Sequence, residues 1–150
     1  MADLQRALEI AVEAHRGQVQ KNGLPYALHP LGLAHRVVPV EAKIAAALHD
    51  VVEDTDWTLE RLRAEGFSEA VLRALDLLTH RDGEGYEAYV ERIAGDELAR
   101  RVKLADLEDN MDLRRIPDPQ PADLERLAKY RRAWRRLGEA DQRTESISAR

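Results

Sequence analysis

Apolar residues recur at three- and four-residue intervals along most of the chain, and that spacing predicts helices. Leu4, Ala7, Leu8, Ala11, Val12 and His15 form the first stripe, with Asp3 placed to cap its start and Gly17 its end. A second helix opens at His29-Pro30, where proline suits a first turn, and runs to about Val38 before Pro39 stops it. A third covers about 41–54. Thr58 is placed to cap a short helix ending near Gly66, and Ser68 another reaching about His80. Residues 80–85 are a polar, glycine-bearing loop, followed by helices over about 86–94 and from Glu97 onward. Pro117, Pro119 and Pro121 make a rigid break before a last helix over about 122–137, which Gly138 is expected to end.

Between the first two helices, residues 18–28 carry Asn22-Gly23 and Pro25, turn chemistry that reads as a loop or short hairpin. No convincing strand alternation occurs elsewhere, so the expected fold class is all-α. One domain is expected over 1–138, with 139–150 as a frayed polar tail.

Composition narrows the chemistry. Hydrophobic residues make up 44% of the 150 positions and charged residues 34%, which fits a globular domain with a real core. Cysteine is absent, so any metal must be held by nitrogen and oxygen. No run approaches the ~20 apolar residues of a membrane span, and the N-terminus lacks a leader pattern, so a cytoplasmic protein off the membrane is expected. The formal charge of -5 disfavours a nucleic-acid partner while permitting a local basic pocket. Lys129, Arg131, Arg132, Arg135 and Arg136 read as a solvated face of the last helix rather than an anion site. The sequence argues for no particular oligomer.

The exception to ordinary patterning is AAALHDVVEDTD, residues 45–56. Four ionisable residues, His49, Asp50, Glu53 and Asp54, interrupt a run of alanine and valine. In a continuous helix His49 and Glu53 stand ~40° apart, as do Asp50 and Asp54, so the four share one arc. Three carboxylates beside a core-facing stripe repel one another unless something positive sits among them. His29, at a helix entrance, and Asp106 complete a candidate ligand set with His49 and Asp50. Two imidazoles and two carboxylates suit Mn²⁺, Fe²⁺ or Zn²⁺ better than Ca²⁺ or Mg²⁺. Glu53 and Asp54, one turn on, are placed to hold and deprotonate a water, with a phosphorus centre as the natural electrophile. Lys103, Asp106 and Asn110 line up on one face of the late helix, and Lys21 and Lys103 are the cations available to an anionic substrate. His15 reads as a core histidine with a satisfied hydrogen bond, and His35 as structural or exposed.

Three segments, AHRGQVQKNGLPYALHP, AAALHDVVEDTDWTL and VKLAD…NM, resemble in order the HD-domain hydrolase module of the RelA/SpoT alarmone enzymes. By size the nearest kin are the stand-alone small alarmone hydrolases. The resemblance covers about 11–116. It implies an all-α HD-domain helical bundle, one Mn²⁺ per chain and removal of the 3′-pyrophosphate from guanosine tetra- and pentaphosphate. It carries metal binding onto His29, His49, Asp50 and Asp106, water positioning onto Glu53 and Asp54, and substrate contact onto Lys21 and Asn110.

Two departures bear on the substrate. Where the family has Arg-Lys, with the arginine on the nucleobase, this chain has Gln20-Lys21, and an amide offers neither the charge nor the same π surface. The family's LADRLHNMRT reads LADLEDNMDL, so arginine, histidine and threonine positions become Leu107, Asp109 and Leu113. The alternatives are therefore a phosphohydrolase of another nucleotide, such as an adenosine alarmone or dinucleotide phosphate, or a non-catalytic nucleotide sensor. Intact Glu53 and Asp54 argue against the sensor.

Overall fold

Nine α-helices and one 3₁₀ turn make up the regular structure among residues 1–149, which the computed structural model describes. Local capping sets several boundaries. Asp3 accepts from the Arg6 N–H at 2.9 Å and starts α1 (Leu4–Ala14). Helices α2 (Leu28–Arg36) and α3 (Val40–Leu48) follow, then α4 (Val51–Asp54). Thr58 caps α5 (Leu59–Glu65), and Ser68 caps α6 (Glu69–Leu78). Gly66 ends α5 at φ 98, and the N-terminal backbone lies so close that a Cβ there would stand 3.2 Å from the Ala2 nitrogen. Only glycine satisfies both demands. Helix α7 (Tyr86–Ala94) leads to α8 (Glu97–Asn110), which Asp96 caps. A 3₁₀ turn (Leu113–Arg115) then precedes α9 (Pro121–Ser148), which opens with proline in its first turn and a reciprocal Gln120–Asp123 cap.

Helix α3 is the centre of the bundle. Ala42, Ala45, Ala46, Ala47 and Leu48 are fully buried, and α1, α2, α6 and α8 all pack against it. Its alanines keep the side-chain layer thin, so four neighbours can approach one helix and share a single core. The chain leaving this crowded helix enters the core polar-side inward, and that places the site.

Two expectations need correction. The third helix does not run unbroken over 41–54: it stops at Leu48, turns through His49-Asp50 and resumes as α4. The His49 backbone N–H reaches the Ala46 carbonyl only at 3.5 Å, while the His49 ring Nδ1 takes the same carbonyl at 2.7 Å. The side chain competes with the backbone for that acceptor, and the helix yields. The shared arc drawn for a continuous helix therefore does not describe the four residues. Nor does the last helix end at Gly138. It continues through that glycine to Ser148, because Arg100, 4% exposed, reaches Asp141 at 3.2 Å and Thr144 Oγ1 at 3.1 Å. The late helix closes at Asn110, before the 3₁₀ turn, with Lys103, Asp106 and Asn110 all on it.

Residues 18–26 form the short hairpin, with one bridge between Val19 and Pro25 and the Gln20 N–H on the Leu24 carbonyl at 2.8 Å. Gly23 takes φ 82 at its turn. Among the described residues there is no other strand pairing, and no helix is long and apolar enough to cross a membrane.

Candidate metal centre and nucleotide cleft

Three segments far apart in the chain bring His29, His49, Asp50 and Asp106 together at the inner end of α3. His29 sits on the first turn of α2, 3% exposed. Its Nε2 is 2.8 Å from Asp106 Oδ1, and its Nδ1 is 2.5 Å from Asp109 Oδ2. His49, 4% exposed, gives its Nδ1–H to the Ala46 carbonyl, an acceptor with no proton of its own. That fixes the proton on Nδ1 and leaves Nε2 bare. This Nε2 is buried and makes no hydrogen bond, although Asp50 Oδ2 is 2.9 Å away and Asp106 Oδ1 3.5 Å. The Tyr26 hydroxyl donates to Asp50, and Lys103 Nζ and Asn110 Nδ2 hold the two oxygens of Asp106 at 2.8 and 2.9 Å.

The electrostatics of the cluster favour positive charge at its centre. Burial opposes charge on both imidazoles, yet hydrogen bonds to Asp106 and Asp109 hold His29 above its ordinary pKa. Asp50 and Asp106 overcome the same burial and raise His49 further. Burial alone would lift Asp106, but the Lys103 charge and the two imidazoles hold it well below the usual carboxylate range. The carboxylates of the cluster thus favour positive charge among them. A divalent cation is the natural source of it, and ligand atoms of His29, His49 and Asp50 lie within 4.8 Å of one another. The bare, buried Nε2 of His49 and the nitrogen–oxygen donor set fit such an ion.

Asp50, Glu53 and Asp54 form a second grouping, also with oxygens within 4.8 Å of one another. Glu53 is exposed and accepts the His80 N–H at 2.8 Å from the end of α6. Partial burial, then the charges of Asp50 and Glu53, raise the Asp54 carboxyl above its ordinary pKa.

Beside His29 opens a cleft of about 270 Å³, whose walls include Gln20, Lys21, Tyr26, Asn110, Arg115 and Tyr130. The Lys21 ammonium pairs with Asp123, and Arg126, also on the wall, reaches the same carboxylate at 3.2 Å. Arg115 lies 3.1 Å from Asp109 and donates to Gln20 Oε1 at 3.2 Å. Lys21 and Asn110 both border this cleft. Lys103 does not: it stands behind Asp106, 5.2 Å from the Tyr89 ring centre. Of the three changed positions, Leu107 is wholly buried in the core and Leu113 does not border the cleft, so only Asp109 touches the site.

Arg115, Arg126, Tyr130 and Tyr26 escaped the sequence reading. Arg126 and Tyr130 are four apart on α9, a spacing that could have flagged them; nothing local marked Arg115, which lies in the turn beyond α8. His15 is buried with Nδ1 on Gln18 Oε1 at 2.8 Å, and His35 is exposed. On the outer face of α9, Arg136 pairs with Glu91 at 2.6 Å, and Lys129 lies 4.3 Å from the Tyr86 ring centre.

No protein-family model matches the chain. Individual proteins do. The guanosine-3′,5′-bis(diphosphate) 3′-pyrophosphohydrolase of Aquifex aeolicus is 36% identical over 121 residues, 73% of this chain and 17% of that protein. The bifunctional (p)ppGpp synthase/hydrolase SpoT of Escherichia coli K12 is 33% identical over 140 residues, 84% of this chain and 20% of that protein. This chain thus spans a fifth or less of the length of these relatives. A solved metazoan ortholog of SpoT, which hydrolyzes ppGpp, superposes with a TM-score of 0.73 at 25% identity, over 93% of this chain and 85% of that one. Fold and site together define a helical bundle built around a histidine–aspartate cluster fit for a metal ion. By these similarities the chain belongs to the RelA/SpoT family.

Proposed function

We propose that the chain is a Mn²⁺-dependent phosphohydrolase that removes the 3′-pyrophosphate from (p)ppGpp-like nucleotides by attack of water. The observation that carries this is the convergence of His29, His49, Asp50 and Asp106, with the His49 Nε2 buried, bare and aimed among carboxylates. These four residues would hold the ion, which when bound supplies Lewis acidity and a water of lowered pKa. The named activities of the A. aeolicus relative and of the metazoan ortholog support the substrate class.

The chain's own groups divide the work. Glu53 and Asp54 orient the attacking water, and Asp54, whose proton affinity its neighbours raise, takes the proton. Asn110, already on Asp106, and Lys21 with Arg126 face the cleft where the phosphates lie. Tyr130 and Tyr26 give the base and sugar their walls.

The test is a nucleotide panel assayed with Mn²⁺. Pyrophosphate released from ppGpp is the expected result; no release from any guanosine alarmone overturns the substrate assignment. One observation favours a second reading, hydrolysis of a different nucleotide: the family's loop arginine is replaced by Gln20, whose amide is tied to Arg115 and to the Pro25 carbonyl. In the same panel, preference for an adenosine alarmone or a dinucleotide phosphate would select it.

A further inference from the structure

We infer that Asp109, braced by Arg115, is a positioning residue that fixes His29 as a metal ligand. This rests on the assignment of His29 to the metal site, and goes beyond it by giving that ligand its support.

An imidazole binds a cation through one nitrogen only if the proton is kept on the other. His49 has its proton fixed by the main chain, through the Ala46 carbonyl. His29 has no carbonyl within reach of Nδ1 and depends on a side chain instead. Asp109 Oδ2, from the far end of α8, takes that nitrogen at 2.5 Å and leaves Nε2 turned toward Asp106 Oδ1 at 2.8 Å. An ionised carboxylate only accepts, so the Asp109 contact keeps a proton on Nδ1, and an ion held between Nε2 and Asp106 would take the place of the Nε2 proton alone.

The support is itself supported. Arg115 lies 3.1 Å from the Asp109 oxygen that His29 uses, and gives further hydrogen bonds to the Asp109 carbonyl at 3.0 Å and Asn110 Oδ1 at 3.2 Å. Asn110 in turn donates to Asp106 Oδ1 at 2.9 Å. A ring therefore runs His29–Asp109–Arg115–Asn110–Asp106 and back to His29, linking two ligands from different helices through one arginine. Charge gives a second reason for the brace. Asp109 adds a negative group next to the two ligand carboxylates, and Arg115 neutralises it on the side that borders the cleft. The family pattern has a histidine at this position, so the device belongs to this chain's own sequence.

The test is Mn²⁺ titration of the metal-free full chain by calorimetry, with ¹⁵N NMR of the His29 ring in Zn²⁺-loaded protein. D109A should bind Mn²⁺ about 10–100-fold more weakly, at unchanged stoichiometry. D109N, whose amide oxygen still accepts from Nδ1–H, should fall between D109A and wild type. The NMR signals should show one His29 tautomer in wild type and a mixture in D109A. Wild-type affinity in D109A, with H29A abolishing binding, overturns the role of Asp109 while the ligand assignment stands. Undiminished binding in H29A overturns both. If D109A does not fold, D109L, of similar length but with no acceptor for Nδ1–H, carries the test, and wild-type affinity together with a single tautomer there overturns the proposal.

Discussion

His49 and Asp54 show how differently two polar residues of one short segment are used. The His49 ring is locked by its own helix's carbonyl and buried, whereas Asp54 is exposed on α4 with two acids for neighbours. If Asp54 takes the proton from water, D54N should lower kcat by about 10²–10⁴-fold while Mn²⁺ affinity stays near wild type. Steady-state kinetics beside a metal titration reads both, and an unchanged kcat removes Asp54 from the chemistry. Lys21 should behave otherwise. K21M removes a cleft cation and leaves the ion cluster untouched, so KM should rise several-fold with little change in kcat. An equal fall in kcat and kcat/KM would place Lys21 in the transition state instead. The candidate ligands were legible in the sequence because His-Asp interrupts an alanine run and His-Pro marks a helix entrance. Asp109 was not, since its partner lies 80 residues away and only the packing of α2 on α8 brings the two together.

Among the helices, boundaries with ordinary caps were legible, and those decided by distant side chains were not. Asp3, Thr58 and Ser68 all cap as their sequence positions suggest. The break after Leu48 depends on an inward-facing histidine, and the extension of α9 past Gly138 on Arg100 in another helix. Glycine lowers helix propensity by roughly 1 kcal/mol, which a buried arginine with two partners on the extension offsets. R100M should cost about 2 kcal/mol, less than a fully buried pair because Asp141 is partly exposed. It should also expose the segment beyond Gly138 to proteolysis; a protease-resistant C-terminus in R100M would contradict this docking. The 80–85 loop is held likewise. Glu84 takes Arg92 at 2.5 and 2.7 Å, and that hydrogen bond draws its carboxyl down from 4.5 to about 2. A depressed carboxyl gives stability that is fully present above the unfolded value and is lost as pH falls. Wild type should therefore lose Tm between pH 4.5 and about 2 more steeply than E84Q, and parallel curves would show that the pair contributes nothing.

Across the molecule, the net charge is -5 while the proposed substrate is a polyanion, so local arrangement decides whether it can enter. Lys21, Arg115 and Arg126 gather at one cleft beside His29, each paired with a carboxylate that an entering phosphate would have to replace. The core places the cleft. Small side chains on α3 draw α2 and α8 together, and their ends carry His29 and Asp106 to the turn after Leu48. Two acid-bearing clusters now compete for a cation: His29, His49 and Asp50 with Asp106 alongside, and the outer group Asp50, Glu53 and Asp54. Anomalous diffraction at the manganese edge from crystals soaked in Mn²⁺ separates them. A single peak bonded to both Nε2 atoms, Asp50 and Asp106 is the expected result. A peak confined to the outer carboxylates, or none at all, would contradict it.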